Sequence, residues 1–323
     1  MRIVFAGTPE VSVPTLEACL DAGHDVVLVV TQPDRPSGRG RHILPSPVKA
    51  FAVERGLPVL QPTGINAPET LALVRRLQPD AIVVSAFGQK LSPALLATPR
   101  RGCFNVHASL LPRFRGPAPI NWAIVTGEEE TGVTIIRMVE RMDAGDILAR
   151  QAVRIDDDWT AGDLAEVLGR MGAKRMVRVL SELEAGTAHP LPQDPSNVSR
   201  APMLKKSDGL IPWTKSARQV HNHVRGMTPW PGAFTFLPRV GAPHPLRITV
   251  LRAVVEPPAD ASTGPGAVVA LIRRGIAVAC GEGVLLLAEV KPAGGHAMPA
   301  DDFARGHRIT PGLRFTDDET LDE

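Results

Sequence analysis

Short apolar runs alternate with amphipathic segments along the first third of the chain, and this alternation restricts the possible folds more than any other feature. The runs RIVFAGT, HDVVLVVTQ, AIVVSAFG and GCFNVHAS are nearly continuous in apolar residues, and segments with helical spacing separate them. Strands of this composition are typical of parallel sheets that helices cover on both faces. The order from residue 3 to about residue 110 therefore predicts an α/β fold, with a doubly wound, mostly parallel, Rossmann-like sheet.

The next elements continue this pattern. The run TGVTIIRMV predicts a further strand. Residues 160–186 have the spacing of a long amphipathic helix, with Thr160 as its N-cap and Gly186 as its stop.

The composition changes after this helix. A chain of 323 residues exceeds one ordinary core, so we expect two domains. Residues 187–209 are rich in Pro and polar residues and predict a linker, and short alternating segments such as GAFTFLP then predict a smaller OB-like β-barrel. We therefore expect a first domain at 1–189, a linker at 190–208, a second domain at 209–311 and an acidic tail at 312–323.

Charge is distributed unevenly between these parts. Residues 1–199 carry 21 Lys and Arg against 22 Asp and Glu, whereas residues 200–310 carry 14 against 7. Residues 311–323 carry one basic residue against five acidic ones. A basic second part favours a polyanionic partner, although a basic surface that only keeps the protein in solution has the same composition.

Several features bear on the compartment. No apolar run reaches membrane-spanning length, and the N-terminal sequence MRIVFAGTPE lacks the layout of a signal peptide. Cys19, Cys103 and Cys280 lie far apart and form no CxxC, which is typical of reduced, buried thiols. These features predict a cytoplasmic protein with no membrane contact, and nothing in the sequence requires more than a monomer.

Polar side chains occupy alternate positions of the predicted strand GCFNVHAS. Alternation places Asn105, His107 and Ser109 on one face, where a core strand would carry apolar residues. An amide and an imidazole side by side suit addition to a carbonyl, because negative charge then grows on one oxygen. A single strand histidine is more often structural, so the pattern leaves both interpretations open.

Asp143 lies just past a predicted strand, in a turn that Gly145 would force. The carboxyl ends of strands in such sheets meet in one crevice, so we expect Asp143 to reach His107 and hold its tautomer. An aspartate that only caps the turn has the same spacing.

The segment PDRPSGRGRHILPSP, residues 33–47, predicts a long loop in which Pro and Gly prevent regular structure. Its arginines make it basic, which suits contact with a phosphate backbone. A solvated flap is the alternative.

Other motifs are weaker. The turn GTPE is no GxGxxG fingerprint, and a P-loop and a GxSxG elbow are absent from the sequence. His221 and His223 form an HxH pair without a cluster that would complete it, so we expect no metal site. Trp230 stands between two prolines and either stacks on a base or packs under the barrel.

These residues together resemble the methionyl-tRNA formyltransferases, a family within the folate-dependent N-formyltransferases. The motif N-x-H-x-S-L-L-P and the later D-x-G-D are shared across that superfamily, whereas the basic loop and the second domain point to a tRNA acceptor. Nearly the whole chain takes part, through the segments FAGTPEVSVPTLEA, QPDRPSGRGRHILPSPVK, SAFGQKL, FNVHASLLPRFRGPAPINWAI, MDAGDIL, GMTPWPGAFT and EVKPAGGHAMPADDFARG.

The resemblance implies formyl transfer from the co-substrate 10-formyltetrahydrofolate to the amino group of methionine on initiator tRNA. It implies Asn105, His107 and Asp143 as the catalytic residues. The folate-contacting residues that it implies are Ser109, Leu110, Leu111, Pro112, Phe87, Gly88 and Gln89. The implied tRNA-contacting residues are Arg35, Arg39, Arg41, His42, Lys205 and Lys206, and the barrel would hold more of the tRNA. The chain departs from the family pattern at Met203 and Pro212.

Three alternatives stay open at this point. A formyltransferase of the same superfamily could act on a sugar nucleotide or on glycinamide ribonucleotide, but such an acceptor would not need the basic loop. A catalytically silent RNA-binding module is disfavoured by the complete set of Asn105, His107 and Asp143. A dinucleotide-dependent oxidoreductase is disfavoured by the missing glycine fingerprint.

Overall fold

The computed structural model describes residues 1–37, 42–239, 244–257 and 263–316. Its contacts divide the chain into two compact units, each made of several segments. Unit 1 comprises Met1–Pro119, Glu130–Arg154 and Leu164–Met203, and unit 2 comprises Ile120–Glu129, Ile155–Asp163 and Leu204–Glu323. Unit 2 therefore takes two segments from within the first 189 residues, and the continuous limits at 189, 208 and 311 stay predictions.

Unit 1 is built around a mixed, mainly parallel sheet. Its strands are β1 (Arg2–Gly7), β2 (Asp25–Val30), β5 (Val59–Leu60), β6 (Ala81–Ser85), β7 (Gly102–His107), β8 (Glu130–Arg137) and β9 (Ile147–Arg154). The order across the described sheet is β5-β2-β1-β6-β7-β8-β9. The pairs from β5 to β7 are parallel, and β8 and β9 join in antiparallel pairs. Strands β3 (Arg35–Ser37) and β4 (His42–Leu44) form a separate antiparallel hairpin.

Helices connect these strands, and apolar side chains fill both faces of the sheet. Along β1, Ile3 and Phe5 belong to one buried cluster, whereas Val4 and Ala6 belong to another. A sheet with a core on each side is the doubly wound arrangement that the continuous apolar runs predicted. The helices of unit 1 are α1 (Val13–Asp21), α2 (Pro47–Glu54), α3 (Pro68–Leu77), α4 (Pro93–Leu96) and most of α6 (Ala161–Ala185), whereas α5 (Pro119–Val125), between β7 and β8 in the chain, belongs almost wholly to unit 2.

The ends of α6 show how local sequence sets an element. The Thr160 hydroxyl accepts a hydrogen bond from the backbone N–H of Asp163, and the Asp163 carboxylate accepts one from the backbone N–H of Thr160. This reciprocal pair satisfies two backbone donors that a helix start leaves free. Gly186 adopts φ +70° directly after the helix, as expected of a left-handed C-terminal residue. The predicted cap and stop of this helix are therefore confirmed.

Unit 2 contains an antiparallel sheet that closes into a small barrel. Its strands are β10 (Ala233–Leu237), β11 (Leu246–Glu256), β12 (Val268–Ile272), β13 (Gly275–Ala279), β14 (Val284–Pro292) and β15 (Met298–Pro299), and its helices are α7 (Ala217–Gly226) and α8 (Ala300–Gly306). The described strands follow the order β10-β11-β14-β13-β12, and β15 pairs with β14.

The two edges of this sheet are joined by a segment close to residue 316. Thr316 pairs with Phe236 of β10, and Arg314 pairs with Ala267 next to β12. One short segment thus satisfies both open edges, which is how small barrels avoid unpaired strands. Among the described residues, no helix is both long enough and apolar enough to cross a membrane.

Candidate active site

Strand β7 ends at the candidate site and carries two of its side chains. Asn105 and His107 occupy alternate positions and lie opposite Ile136 and Thr134 of β8. His107 is buried, whereas Asn105 is half-buried. Because alternate side chains of a strand share a face, the strand end presents an amide and an imidazole together.

The two ring nitrogens of His107 have different partners. Nε2 lies 2.9 Å from the carbonyl oxygen of Phe114. A carbonyl oxygen only accepts hydrogen bonds, so Nε2 carries a proton and donates it. Nδ1 lies 3.7 Å from Oδ1 of Asp143. This separation is longer than a direct hydrogen bond, but it leaves the carboxylate close enough to stabilise positive charge on the ring.

Asp143 lies in a tight turn between β8 and β9, and its side chain is only 11% exposed. Its own backbone is left-handed, at φ +50°. Its Oδ2 accepts a hydrogen bond of 2.9 Å from the backbone N–H of Gly116. Gly145 is needed for a different reason, since a Cβ there would lie 1.7 Å from the carbonyl oxygen of Arg137. The turn thus directs the carboxylate toward His107.

The expected reason for this proximity was wrong, because β8 runs antiparallel to β7. Arg137 at the carboxyl end of β8 pairs with Phe104, near the start of β7. The carboxyl end of β8 therefore lies beside the amino end of β7, so the carboxyl ends of these two strands point in opposite directions. The turn between β8 and β9, rather than the strand end, carries Asp143 back to His107.

The loop after β7 is held by side chains of the neighbouring strands. The Thr134 hydroxyl donates to the carbonyl of Ser109 at 2.6 Å and accepts from the backbone N–H of Leu111 at 3.1 Å. Arg150 of β9 donates to the carbonyl of Leu111, also at 3.1 Å. The Ser109 hydroxyl donates to the carbonyl of Arg113 at 2.7 Å. These four hydrogen bonds hold the loop in place without a ligand.

The residues predicted to contact folate differ in accessibility. Ser109, Leu111, Pro112 and Phe87 are buried, Leu110 and Gln89 are half-buried, and Gly88 is exposed. The Phe87 carbonyl accepts hydrogen bonds from Thr8 and Gln32, and the Gln89 side chain accepts one from the backbone N–H of Ile65. The Ser109 and Gln89 side chains thus take part in the hydrogen bonds that hold the loops next to β7.

Part of the predicted tRNA-contacting loop is a hairpin rather than an irregular loop. Strands β3 and β4 pair between Arg35 and Leu44 and between Ser37 and His42. Arg39 and Arg41 lie outside the described residues.

The base of this hairpin is anchored. The Asp34 carboxylate accepts hydrogen bonds from Lys49 at 2.5 Å and from Gln61 at 2.7 Å. These two partners hold the pKa of the Asp34 carboxyl below its ordinary value. A charged carboxylate therefore stays at the start of the hairpin and keeps Lys49 beside it.

The remaining candidates lie in unit 2. Lys205 and Lys206 are exposed, and Trp230 is 52% exposed. His221 and His223 lie on α7, and burial lowers the pKa of both imidazoles. A pair on one short helix, half-buried at His221 and buried at His223, is typical of packing. No cluster of three or more metal-ligating side chains occurs in the described part of the chain.

Sequence reasoning missed Gln193, which contacts the Asp143 turn, and Arg115, which contacts Gln193. Gln193 donates to the carbonyl oxygens of Asp143 at 2.8 Å and Gly145 at 2.7 Å, and it accepts from Arg115 at 2.6 Å. Burial lowers the pKa of the Arg115 guanidinium, the neighbouring Arg141 lowers it further, and Asp143 opposes the shift. Gln193 stands in the Pro-rich segment that predicts a linker, so no local signal marks it.

Two family models match the chain. The model described as formyl transferase covers residues 1–180, and that of the formyl transferase C-terminal domain covers residues 203–308. A methionyl-tRNA formyltransferase of Citrifermentans bemidjiense is 46% identical, over 97% of this chain and 95% of that protein. A methionyl-tRNA formyltransferase of Geobacter sulfurreducens is also 46% identical, over 98% of this chain and 96% of that protein.

Two solved structures show the same fold at low identity. The sugar 3N-formyl transferase WlaRD superposes with a TM-score of 0.63 and 18% identity, over 89% of this chain and 97% of that one. HypX from Aquifex aeolicus, in complex with tetrahydrofolic acid, superposes with a TM-score of 0.62 and 18% identity. That match spans 94% of this chain but about half, 47%, of HypX. With the site geometry and the two family matches together, the chain belongs to the formyl transferase family.

Proposed function

We propose that this protein transfers the formyl group of 10-formyltetrahydrofolate to the free amino group of methionyl-initiator tRNA, giving N-formylmethionyl-tRNA for translation initiation. The observation that supports methionyl-tRNA as the acceptor is the 46% identity with a methionyl-tRNA formyltransferase over 97% of the chain. The geometry at the end of β7 supports the chemistry independently, because it joins an amide, an imidazole and a carboxylate.

Asn105 and His107 supply the two functions that transfer to an amine requires. An amide N–H of Asn105 donates to the formyl oxygen as negative charge grows there, and it does so at any pH. His107 takes up the proton that the attacking amine loses and passes it to the departing nitrogen, through Nδ1, since Nε2 is bonded to Phe114. Asp143 stabilises the charged ring during that step.

The donor set fits a formylated folate. Within the described residues the Asn105 amide makes no hydrogen bond, so its N–H groups are free to meet a carbonyl. The co-substrate supplies an activated formyl group, and no residue of the chain has to form an acyl bond. Leu110, Gly88 and Gln89, the more accessible of the folate candidates, would contact the co-substrate, and the buried Ser109, Leu111, Pro112 and Phe87 would support the loops beneath it.

The basic hairpin and unit 2 would hold the tRNA. Arg35, Arg39 and Arg41 place positive charge on the 33–47 segment, and His42 adds an imidazole that can bind a phosphate. The exposed Lys205 and Lys206 add to the basic second part. Phosphate contacts of this type supply affinity that falls with salt. Since initiation takes place in the cytoplasm, we propose that the protein acts there, as a monomer.

Single-turnover formylation tests the proposal. The enzyme, in excess, would be mixed with 10-formyltetrahydrofolate and charged initiator methionyl-tRNA, and parallel reactions would contain charged elongator methionyl-tRNA, an amino-sugar nucleotide or glycinamide ribonucleotide. We expect fast transfer to the initiator and slow or no transfer to the other three. Transfer only to a small amine would support formyl transfer but contradict methionyl-tRNA as the acceptor. No transfer to any of the four acceptors would contradict the formyltransferase activity itself.

A further inference from the structure

The turn that carries Asp143 is held from behind by the side-chain amide of Gln193. Its Nε2 donates to the carbonyl oxygens of Asp143 and Gly145, at 2.8 and 2.7 Å. Both hydrogens of one amide are therefore used on the turn, one at the carbonyl of Asp143 itself and one at the carbonyl two residues later. A residue with φ +50° is held by its surroundings rather than by its own preference, so these two bonds matter for its position.

The oxygen of the same amide is used on Arg115. Oε1 of Gln193 accepts from Nε of Arg115 at 3.2 Å and from Nη2 at 2.6 Å. The amide orientation follows from its partners, because a flipped amide would place its oxygen against two carbonyl oxygens and its NH₂ against two donors. Gln193 thus joins Arg115 to the turn in one defined orientation.

Arg115 lies between the two backbone groups that contact the candidate catalytic residues. Phe114 accepts from His107, and Gly116 donates to Asp143. The backbone of Arg115 is itself fixed, since its N–H donates to Ser199 at 2.9 Å and its carbonyl accepts from Ala201 at 2.8 Å. Gln193 therefore closes a ring of contacts that includes the imidazole, the carboxylate and the segment between them.

The backbone on both sides of Gln193 is also anchored. Leu191 exchanges two hydrogen bonds with Ile147, at 2.8 and 2.9 Å. Asp194 caps the short 3₁₀ turn Pro195–Asn197, accepting from the backbone N–H of Ser196 at 2.9 Å. The amide is thus presented by a rigid backbone, which is the arrangement that keeps a reacting group in place.

We propose that Gln193 is a positioning residue that sets the distance between Asp143 and His107, an inference that rests on the proposed formyl transfer. The segment around it, residues 190–201, acts as part of the active-site support rather than as a free connection. The two halves of the amide have separate tasks: the NH₂ fixes the turn, and the oxygen fixes Arg115.

Two substitutions separate these tasks. Gln193→Met removes both, whereas Gln193→Glu keeps an acceptor for Arg115 but loses the donors to the turn. We expect kcat to fall about 10-fold or more in both variants, with KM for either substrate changed less than about twofold, because a misplaced group costs turnover rather than binding. Gln151→Met is the matched control, since Gln151 accepts from Arg175 elsewhere in unit 1, and its kcat should be unchanged.

A double-mutant cycle distinguishes positioning from general support. In an Asp143→Asn background, Gln193→Met should lower kcat by less than about twofold further, because the carboxylate it positions is already lost. The same fold-loss in both backgrounds, an effect on KM alone, or wild-type kcat in Gln193→Glu would overturn the proposal.

A measurement without turnover keeps the inference separate from the activity. In Gln193→Met, hydrogen exchange at the Gly116 amide should become faster, because its acceptor Asp143 is no longer held. Unchanged exchange at Gly116 would contradict the positioning role whatever the acceptor is. If wild-type enzyme accepts only a small amine, the same ratios of kcat are measured with that amine.

Discussion

One ring nitrogen of His107 is hydrogen-bonded to the backbone, and the other has no direct hydrogen bond to Asp143. Nε2 is bonded to the carbonyl of Phe114, so only Nδ1 can exchange a proton with a ligand or with water near Asp143. A ring whose tautomer is set by the backbone needs no rearrangement before it acts. The Phe114 carbonyl therefore decides which nitrogen of this histidine faces Asp143.

Alanine variants of the three candidate catalytic residues test these roles. We expect Asn105→Ala, His107→Ala and Asp143→Ala each to lower turnover by about 10²-fold or more, the usual cost of an oxyanion donor or an acid–base group. The measurement is the single-turnover rate, with circular dichroism and a thermal midpoint to verify folding. Near wild-type turnover in one variant would remove that residue from the catalytic set.

At the scale of single residues, the sequence indicated the candidate catalytic side chains but not the side chains that hold them in position. Asn105 and His107 were selected as candidates because polar residues at alternate positions of a buried strand are not expected in a core. Gln193, Arg115 and Ser199 could not be found, because their contacts join positions far apart in the chain and each residue type is ordinary where it stands.

Among the elements, those with strong apolar periodicity were predictable. Strands β1, β2, β6 and β7 and helix α6 follow the runs and caps that indicated them. Strand β9 was missed because it is an edge strand, with the sequence ILARQAVR and little continuous apolar character.

Two further elements were missed for other reasons. Helix α7 has the polar sequence ARQVHNHVRG, although most of it is buried. The 33–47 segment was expected to be irregular, but the hairpin β3–β4 forms within it, because a proline is compatible with a strand of such a short pair.

The turn between β8 and β9 gives a prediction for one element. Gly145→Ala would place a methyl group 1.7 Å from the carbonyl oxygen of Arg137, so the turn must move. We expect a loss of about 1–3 kcal/mol in the free energy of unfolding together with a large fall in kcat.

Denaturant unfolding and single-turnover kinetics measure the two effects. Gly64→Ala is the control, because nothing lies within 4 Å of a Cβ at position 64. If Gly145→Ala were as stable and as active as Gly64→Ala, the turn would not be the element that sets the position of Asp143.

For the whole molecule, the distribution of basic residues is the property of the sequence that favours a tRNA partner. Residues 200–310 carry 14 basic against 7 acidic residues, and the 33–47 segment adds further arginines. Because each phosphate contact releases counterions, tRNA affinity should fall steeply as salt rises.

Arg41→Ala tests the contribution of the basic segment. We expect weaker binding of initiator methionyl-tRNA and a slope of log affinity against log salt that is smaller by about 1, as for the loss of one phosphate contact. Filter binding or fluorescence anisotropy at several salt concentrations measures the slope, with the exposed Arg75→Ala as the matched control. An unchanged slope in Arg41→Ala would argue against tRNA contact by this segment.

The limits of the parts at 189, 208 and 311 stay predictions, and the contacts of two segments bear on them. Composition suggested an acidic tail from residue 312, yet Arg314 and Thr316 pair with the barrel edges. Composition also suggested a linker from residue 190, yet residues up to Met203 belong to unit 1. Neither segment has a hydrophobic periodicity of its own. Each is held in place by pairing with distant strands and loops, which no local sequence pattern shows.

Because residues 190–201 contact the Asp143 turn and the segment around Arg115, the position of a crossover between related genes affects the candidate site. An exchange of second domains with a crossover directly after α6 would join a foreign segment to the native Asp143 turn, and the partners from Gln193 to Ala201 would be inherited from the wrong parent. A crossover after Met203 keeps the turn and its support from a single parent. The segment that must be inherited together with the candidate active site therefore runs from the end of α6 at Ala185 to Met203.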